Sequence, residues 1–191
     1  MRTVVVNGDG LTVEDVVDVA RGEANAELSE SVPAAMERSR AVVAEAVAGD
    51  EPVYGVNTGF GALADTRVGE RDLTRLQGAI IRSHAAATGA PLDDGSVRAL
   101  LLLRARTLAA GYSGVRPEIP RRLLELLNLG LLPVVPGKGS VGASGDLAQL
   151  AHLAQPLIGE GRLRRAGAAD PWGVPAAELQ ERLRLELRLR R

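Results

Sequence analysis

The chain of 191 residues contains no cysteine. That excludes disulfides, thiolate metal sites and a cysteine nucleophile, and it agrees with a reducing compartment. Aromatic residues are scarce, with one Trp, two Tyr and one Phe. A core without large rings has to be assembled from Leu, Val and Ala, which favours packed helices. No hydrophobic run approaches the length of a membrane span. The start, Met1-Arg2-Thr3-Val4-Val5-Val6-Asn7-Gly8, reaches a polar turn too soon for the apolar centre of a signal peptide, so a soluble cytoplasmic protein is expected. The formal net charge is −1 and the basic residues form no block before the extreme C-terminus. Composition therefore recommends neither nucleic acid nor an anionic membrane as partner and leaves small molecules open. What is present is ordinary for a globular protein with a sizeable core: 46% hydrophobic and 25% charged residues.

The residue pattern predicts a mainly α-helical fold with a short N-terminal strand and an ordered Gly-rich loop. Val4-Val5-Val6 followed by Asn7-Gly8-Asp9-Gly10 reads as the strand and its turn. Thr12 and Asp15 have capping-box spacing ahead of Val13, Val16, Val17 and Val19. Ser31 before Pro33 opens a helix over 34–48 that stops at Gly49. Residues 52–61 are too rich in glycine for a helix and too irregular for a plain strand. Helical spacing resumes at Asp72 with Leu73, Leu76, Ile80 and Ile81, ending near Gly89-Ala90-Pro91. Further helices are expected from Asp94 to about Ala110, and from Pro117 to Gly130. After the extended stretch Leu131 to Pro136, a last helix should run from Asp146 to Gly159 through Leu147, Leu150, Leu153 and Leu157. Beyond Gly161, Leu and charged residues alternate at period two, a poor helical face, and a solvated or edge-strand tail is expected.

The segment with the most chemical interest is Gly139-Ser140-Val141-Gly142-Ala143-Ser144-Gly145-Asp146-Leu147. On composition alone it is a glycine-rich helix start capped by Ser144 or Asp146, or a weak phosphate cradle. Walker spacing is absent, because Lys138 precedes the glycines instead of closing them. The whole string, however, closely resembles the signature of the aromatic amino acid ammonia-lyase family, whose Ala-Ser-Gly tripeptide cyclises by itself into 4-methylidene-imidazol-5-one. The resemblance implies that the Gly145 nitrogen attacks the Ala143 carbonyl and that two dehydrations turn the Ser144 side chain into an exocyclic methylene. The product is an electrophile that no ordinary side chain supplies, placed at a helix N-terminus where developing negative charge is favoured. No external cofactor and no metal are implied.

Other stretches agree with the family over roughly residues 1–161. Tyr54-Gly55-Val56-Asn57-Thr58-Gly59-Phe60-Gly61 resembles its mobile tyrosine loop, which implies that Tyr54 is the catalytic base on the β-carbon. A phenol of ordinary pKa about 10 needs a cationic or dipolar neighbour for that task. Arg82-Ser83-His84 resembles the position that reads the substrate's side chain, so His84 would bind an imidazole or a phenol by hydrogen bonding. His152 has no such assignment and reads as an ordinary helical histidine. Gly111-Tyr112-Ser113-Gly114-Val115-Arg116-Pro117 is similar to an architectural turn of the histidine-specific members.

Together the pieces imply elimination of ammonia from L-histidine to give trans-urocanate, the first step of histidine degradation. Tyrosine- or phenylalanine-specific lyases, an aminomutase, and a truncated non-catalytic fragment are the alternatives. Two departures stand out: Gln149 occupies a position where the signature has proline, and Pro156 falls inside the last expected helix. Residues 162–191 are expected to form a divergent Arg/Leu-rich tail, separate from an N-terminal domain of residues 1–161. The family assembles as homotetramers whose sites draw on three subunits, and a chain of this length is expected to lack the central helices that build that interface.

Overall fold

The computed structural model describes residues 1–142 and 145–183. It begins with a β-α-β unit in which β1 (Arg2–Val6) and β2 (Ala24–Leu28) run parallel, Arg2 opposite Ala24 and Val6 opposite Leu28, with α1 (Val13–Arg21) as the crossover. The capping box is present: Asp15 N–H donates to the Thr12 hydroxyl at 3.1 Å, and Thr12 N–H donates to the Asp15 carboxylate at 3.0 Å. Two backbone donors at the helix start thus find partners. β2 escaped the sequence reading because Ala24-Asn25-Ala26-Glu27-Leu28 contains no β-branched residue. Pairing with the valines of β1 makes it a strand, and the Asn128 side chain bonds both Ala26 N–H (3.0 Å) and Ala26 C=O (2.8 Å), much as a neighbouring strand would.

Four helices follow: α2 (Val32–Ala48), α3 (Glu70–His84), α4 (Asp94–Ala109) and α5 (Glu118–Asn128). The core is aliphatic, as the shortage of rings requires. Val97, Leu101, Leu102, Ala105 and Leu108 of α4 pack with Leu123, Leu124, Leu126 and Leu127 of α5 and with Val4, Val6 and Val19. A buried charge lies against it. Arg98 is only 8% exposed, and its guanidinium donates to the carbonyls of Val19 (2.7 Å) and Leu127 (3.2 Å). Those carbonyls belong to the last turns of α1 and α5, where the helix dipole is negative.

α3 ends at His84, short of the expected Gly89, because the chain there is used differently. β3 (Thr88–Pro91) pairs antiparallel with β5 (Pro136–Lys138), Thr88 opposite Lys138 and Pro91 opposite Pro136. Between α5 and β5 lies β4 (Leu131–Pro133). α6 (Leu147–Ala154) is shorter than the run to Gly159 expected from sequence; the remainder is a 3-10 helix, Gln155–Ile158, closed by Gly159 at φ 78°. Pro156 accounts for the change. It lacks the N–H that would continue the α-helical ladder, and in the first turn of a new helix that N–H is not needed.

The expectation of a solvated or edge-strand tail fails for the residues that follow. β6 (Arg162–Arg165) is the middle strand of a three-stranded antiparallel sheet, between β4 and β7 (Val174–Pro175), and α7 (Ala176–Leu183) packs behind it. Leu163 faces the core. Arg164, on the other face, is buried against the start of α4, with Asp94 at 2.8 Å and the Leu92 carbonyl at 2.8 Å. In α7 the buried residues Ala176, Leu179 and Gln180 fall at helical spacing. The strict Leu-Arg alternation that argued against a helix is concentrated in residues 184–191, outside the described residues. Among the described residues no helix is long and apolar enough to cross a membrane, and no three His, Asp or Glu side chains gather as a metal site.

Candidate active site

Ala143 and Ser144 lie outside the described residues, so the tripeptide is defined by what holds its ends. On the N-terminal side, Gly139 takes φ 142°, and a Cβ there would stand 3.0 Å from the Ala87 backbone. The glycine lets the strand leaving β5 pass close against the residue that leads into β3. On the C-terminal side Asp146 precedes α6 but makes no side-chain bond to its first turn. Its carboxylate instead accepts a hydrogen bond from the Ser140 hydroxyl, which ties the two ends of the loop together. Gly142 (φ 71°) and Gly145 (φ 104°) both adopt left-handed backbone, with nothing among the described residues within 4 Å of the place a Cβ would occupy. They are needed there for conformation, not for space.

β3 and β5 bring His84 toward this loop. Thr88 pairs with Lys138, so the chain arrives from His84 and departs toward Gly139 at the same end of the ladder. α3 also packs on α6. His84 is exposed, and its Nδ1 lies 2.9 Å from the Ile80 carbonyl and 3.1 Å from the Ser83 hydroxyl. A carbonyl can only accept, so Nδ1 carries a proton and donates to Ile80, which leaves Nε2 as the ring nitrogen without an internal partner among the described residues.

Tyr54 is 65% exposed on a loop whose base is fixed. Asn57, fully enclosed, donates to the carbonyls of Ala46 and Glu51, both at 2.9 Å, and accepts the Val53 N–H at 2.6 Å. Thr58 bridges to Arg67. The Tyr54 ring meets Phe60 edge to face, centroids 5.7 Å apart. The β3–β5 pairing brings the chain next to His84 against the flank of the tripeptide, and among the described residues no hydrogen bond joins Tyr54 to His84 or to the 139–146 loop. The sequence reading missed Asn57 as the anchor. An asparagine inside a Gly-rich turn is the signal that could have found it, since its amide replaces backbone partners.

α6 carries two buried polar oddities. Gln149 is 7% exposed and its Oε1 has no partner among the described residues, and the same holds for His152 Nε2. Three residues apart, they share a helix face. Burial lowers the His152 imidazole below its ordinary 6.5, only partly offset by hydrogen bonding to Gln155. The unfolded chain therefore binds this proton more readily than the folded one, and stability falls as pH drops through about 6.5. Melting midpoints recorded between pH 8 and 5 should decline less in a His152→Leu variant; equal slopes would exclude His152 as the source.

Comparison with known proteins extends the picture. A family model described as aromatic amino acid lyase matches residues 11–189, a span that includes β6, β7 and α7. The histidine ammonia-lyase of Myxococcus xanthus is 48% identical over 183 residues, covering 96% of this chain and 35% of that protein. Among solved structures, histidine ammonia-lyase from Trypanosoma cruzi superposes with a TM-score of 0.85 at 34% identity, over 97% of this chain and 35% of that one. Tyrosine aminomutase from Streptomyces globisporus gives 0.88 at 37% identity, over 98% and 35%. The chain thus spans about a third of the length of the curated relatives it matches.

Proposed function

Because this chain belongs to the aromatic amino acid lyase family, we propose that it is the cofactor-forming portion of a histidine ammonia-lyase, a carbon-nitrogen lyase that converts L-histidine to trans-urocanate and ammonia. The observation that carries this reading is the 48% identity to the Myxococcus xanthus histidine ammonia-lyase across nearly the whole chain. His84 supports it: with Nδ1 donating to the Ile80 carbonyl, Nε2 is the ring nitrogen left to hydrogen-bond a polar substrate side chain such as an imidazole.

Ala143, Ser144 and Gly145 would hold the methylidene-imidazolone. The residues around them suit it, since Gly142 and Gly145 permit the sharp turn and the Ser140–Asp146 bond closes the loop. That group would supply the electrophile that activates the amino group as a leaving group. Tyr54 would take the proton from the β-carbon, general-base work that needs a phenol free of internal hydrogen bonds and close to substrate. The family resemblance would have such a site completed by further subunits, as in a homotetramer.

An aminomutase is the second reading, favoured by the likeness to the Streptomyces globisporus enzyme; formation of a β-amino acid would select it. The deciding experiment is the intact mass of the purified chain, followed by incubation with L-histidine. A mass short by two waters, localised to the Ala143–Gly145 peptide, together with urocanate, establishes the reading. An unmodified mass would mark the chain as an immature, non-catalytic remnant of a lyase.

A further inference from the structure

We propose that Glu160 is a positioning residue for His84, acting through Arg82. The inference rests on the reading of His84 as the residue that addresses the substrate's side chain. It starts from how weakly α3 is otherwise fixed. Of the long helices, α3 alone has no fully buried side chain; Leu73, Leu76, Ile80 and Ile81 are only half covered. Its last turn, which carries His84, is instead tied by a fork. Arg82 Nε donates to both Glu160 oxygens at 2.9 and 3.0 Å, and Nη2 donates to Oε1 at 2.6 Å. Two-point pairing of this kind fixes orientation as well as distance.

The other end of the tie is stiff. Glu160 stands between Gly159 (φ 78°) and Gly161 (φ 70°), its N–H donates to the Gln155 carbonyl at 3.0 Å, and Gly161 C=O receives the Ala176 N–H at 3.0 Å. From there the 3-10 helix and α6 lead back without interruption to Asp146 and the tripeptide. The pair thus references the residue that reads the substrate to the element that begins at the electrophile. Arg82 is 57% exposed and Glu160 35%, so solvent screens the pair and its share of global stability is small. Orientation of the last turn of α3 is where its effect is felt.

This separates positioning from mere support. Glu160→Ala should shift the melting midpoint by no more than about 3 °C, while the Ala85 amide exchanges on the order of tenfold faster as the last turn of α3 opens. The chain has only two histidines, so their ring nitrogens can be followed by ¹⁵N NMR. In the parent chain His84 should show a single tautomer protonated at Nδ1; in Glu160→Ala the two nitrogens should average. Arg82→Lys, which keeps the charge and loses the fork, should do the same. The exchanged pair Arg82→Glu with Glu160→Arg should restore the single tautomer. An unchanged His84 spectrum in both single variants, or failure of the exchanged pair to restore it, overturns the proposal. None of these readouts requires turnover, so an inactive chain would count against the lyase reading and leave this test intact.

Discussion

Ser144→Ala is expected to yield a chain of unchanged helix content whose mass shows no loss of water and which releases no urocanate from histidine. On the proposed reading, the side-chain oxygen of Ser144 is the atom whose departure would create the exocyclic methylene, and alanine has nothing to expel. Loss of activity should therefore be complete to the limit of the assay. The flanks give no reason for misfolding: Gly142 and Gly145 face open space, and the bonds that close the loop run through Ser140 and Asp146. Circular dichroism and intact mass separate the two effects. Turnover of histidine by the variant would remove the tripeptide from the mechanism, whatever its resemblance.

The second large effect is on stability. Arg98→Met, close in length and apolar, should destabilise the fold by about 3 kcal/mol, since two charge-assisted hydrogen bonds are lost and two carbonyls remain in an apolar core. For a chain of this size that corresponds to roughly 10 °C in melting midpoint. Arg98→Lys should fall between, because one ammonium cannot easily span the 2.7 and 3.2 Å contacts to carbonyls on two different helices. A thermal or urea melt decides it. A midpoint within 2 °C of the parent would mean that water or another donor reaches the freed carbonyls.

Much of this was legible in the sequence, and the reasons are local. Thr12 and Asp15, and Gly49, Gly130 and Gly159 at helix ends, mark boundaries through the backbone conformation or hydrogen bond each residue supplies, whereas α4 starts at Asp94 as expected but is capped by the Asp93 carboxylate, which accepts the Ser96 N–H at 2.9 Å. The aliphatic core follows from the dearth of rings. What escaped depends on partners distant in sequence. Ala24–Leu28 becomes a strand only beside Val4 and Val6. Residues 88–91 leave the helical pattern only because β5 pairs with them. Arg164 reads as solvated until Asp94, seventy positions earlier, closes on it. At the candidate site, Tyr54, His84 and the tripeptide are proposed from resemblance and local pattern. Asn57 and Glu160 are not, since their importance lies in where their side chains arrive.

The loop from Gly139 to Asp146 also bears on when a modified backbone can form. Closing a five-membered ring in a free chain requires a nitrogen and a carbonyl two residues apart to find one rare turn among many extended alternatives. Here one end of the loop is pressed against Ala87 and the two ends are joined through Ser140 and Asp146, so most of that conformational search is over once the surrounding helices have packed. The local concentration of nucleophile at electrophile is raised by folding itself. On the proposed reading, ring closure would be a late event that reports on a finished tertiary structure, and its timing after refolding from denaturant should follow core assembly, not precede it.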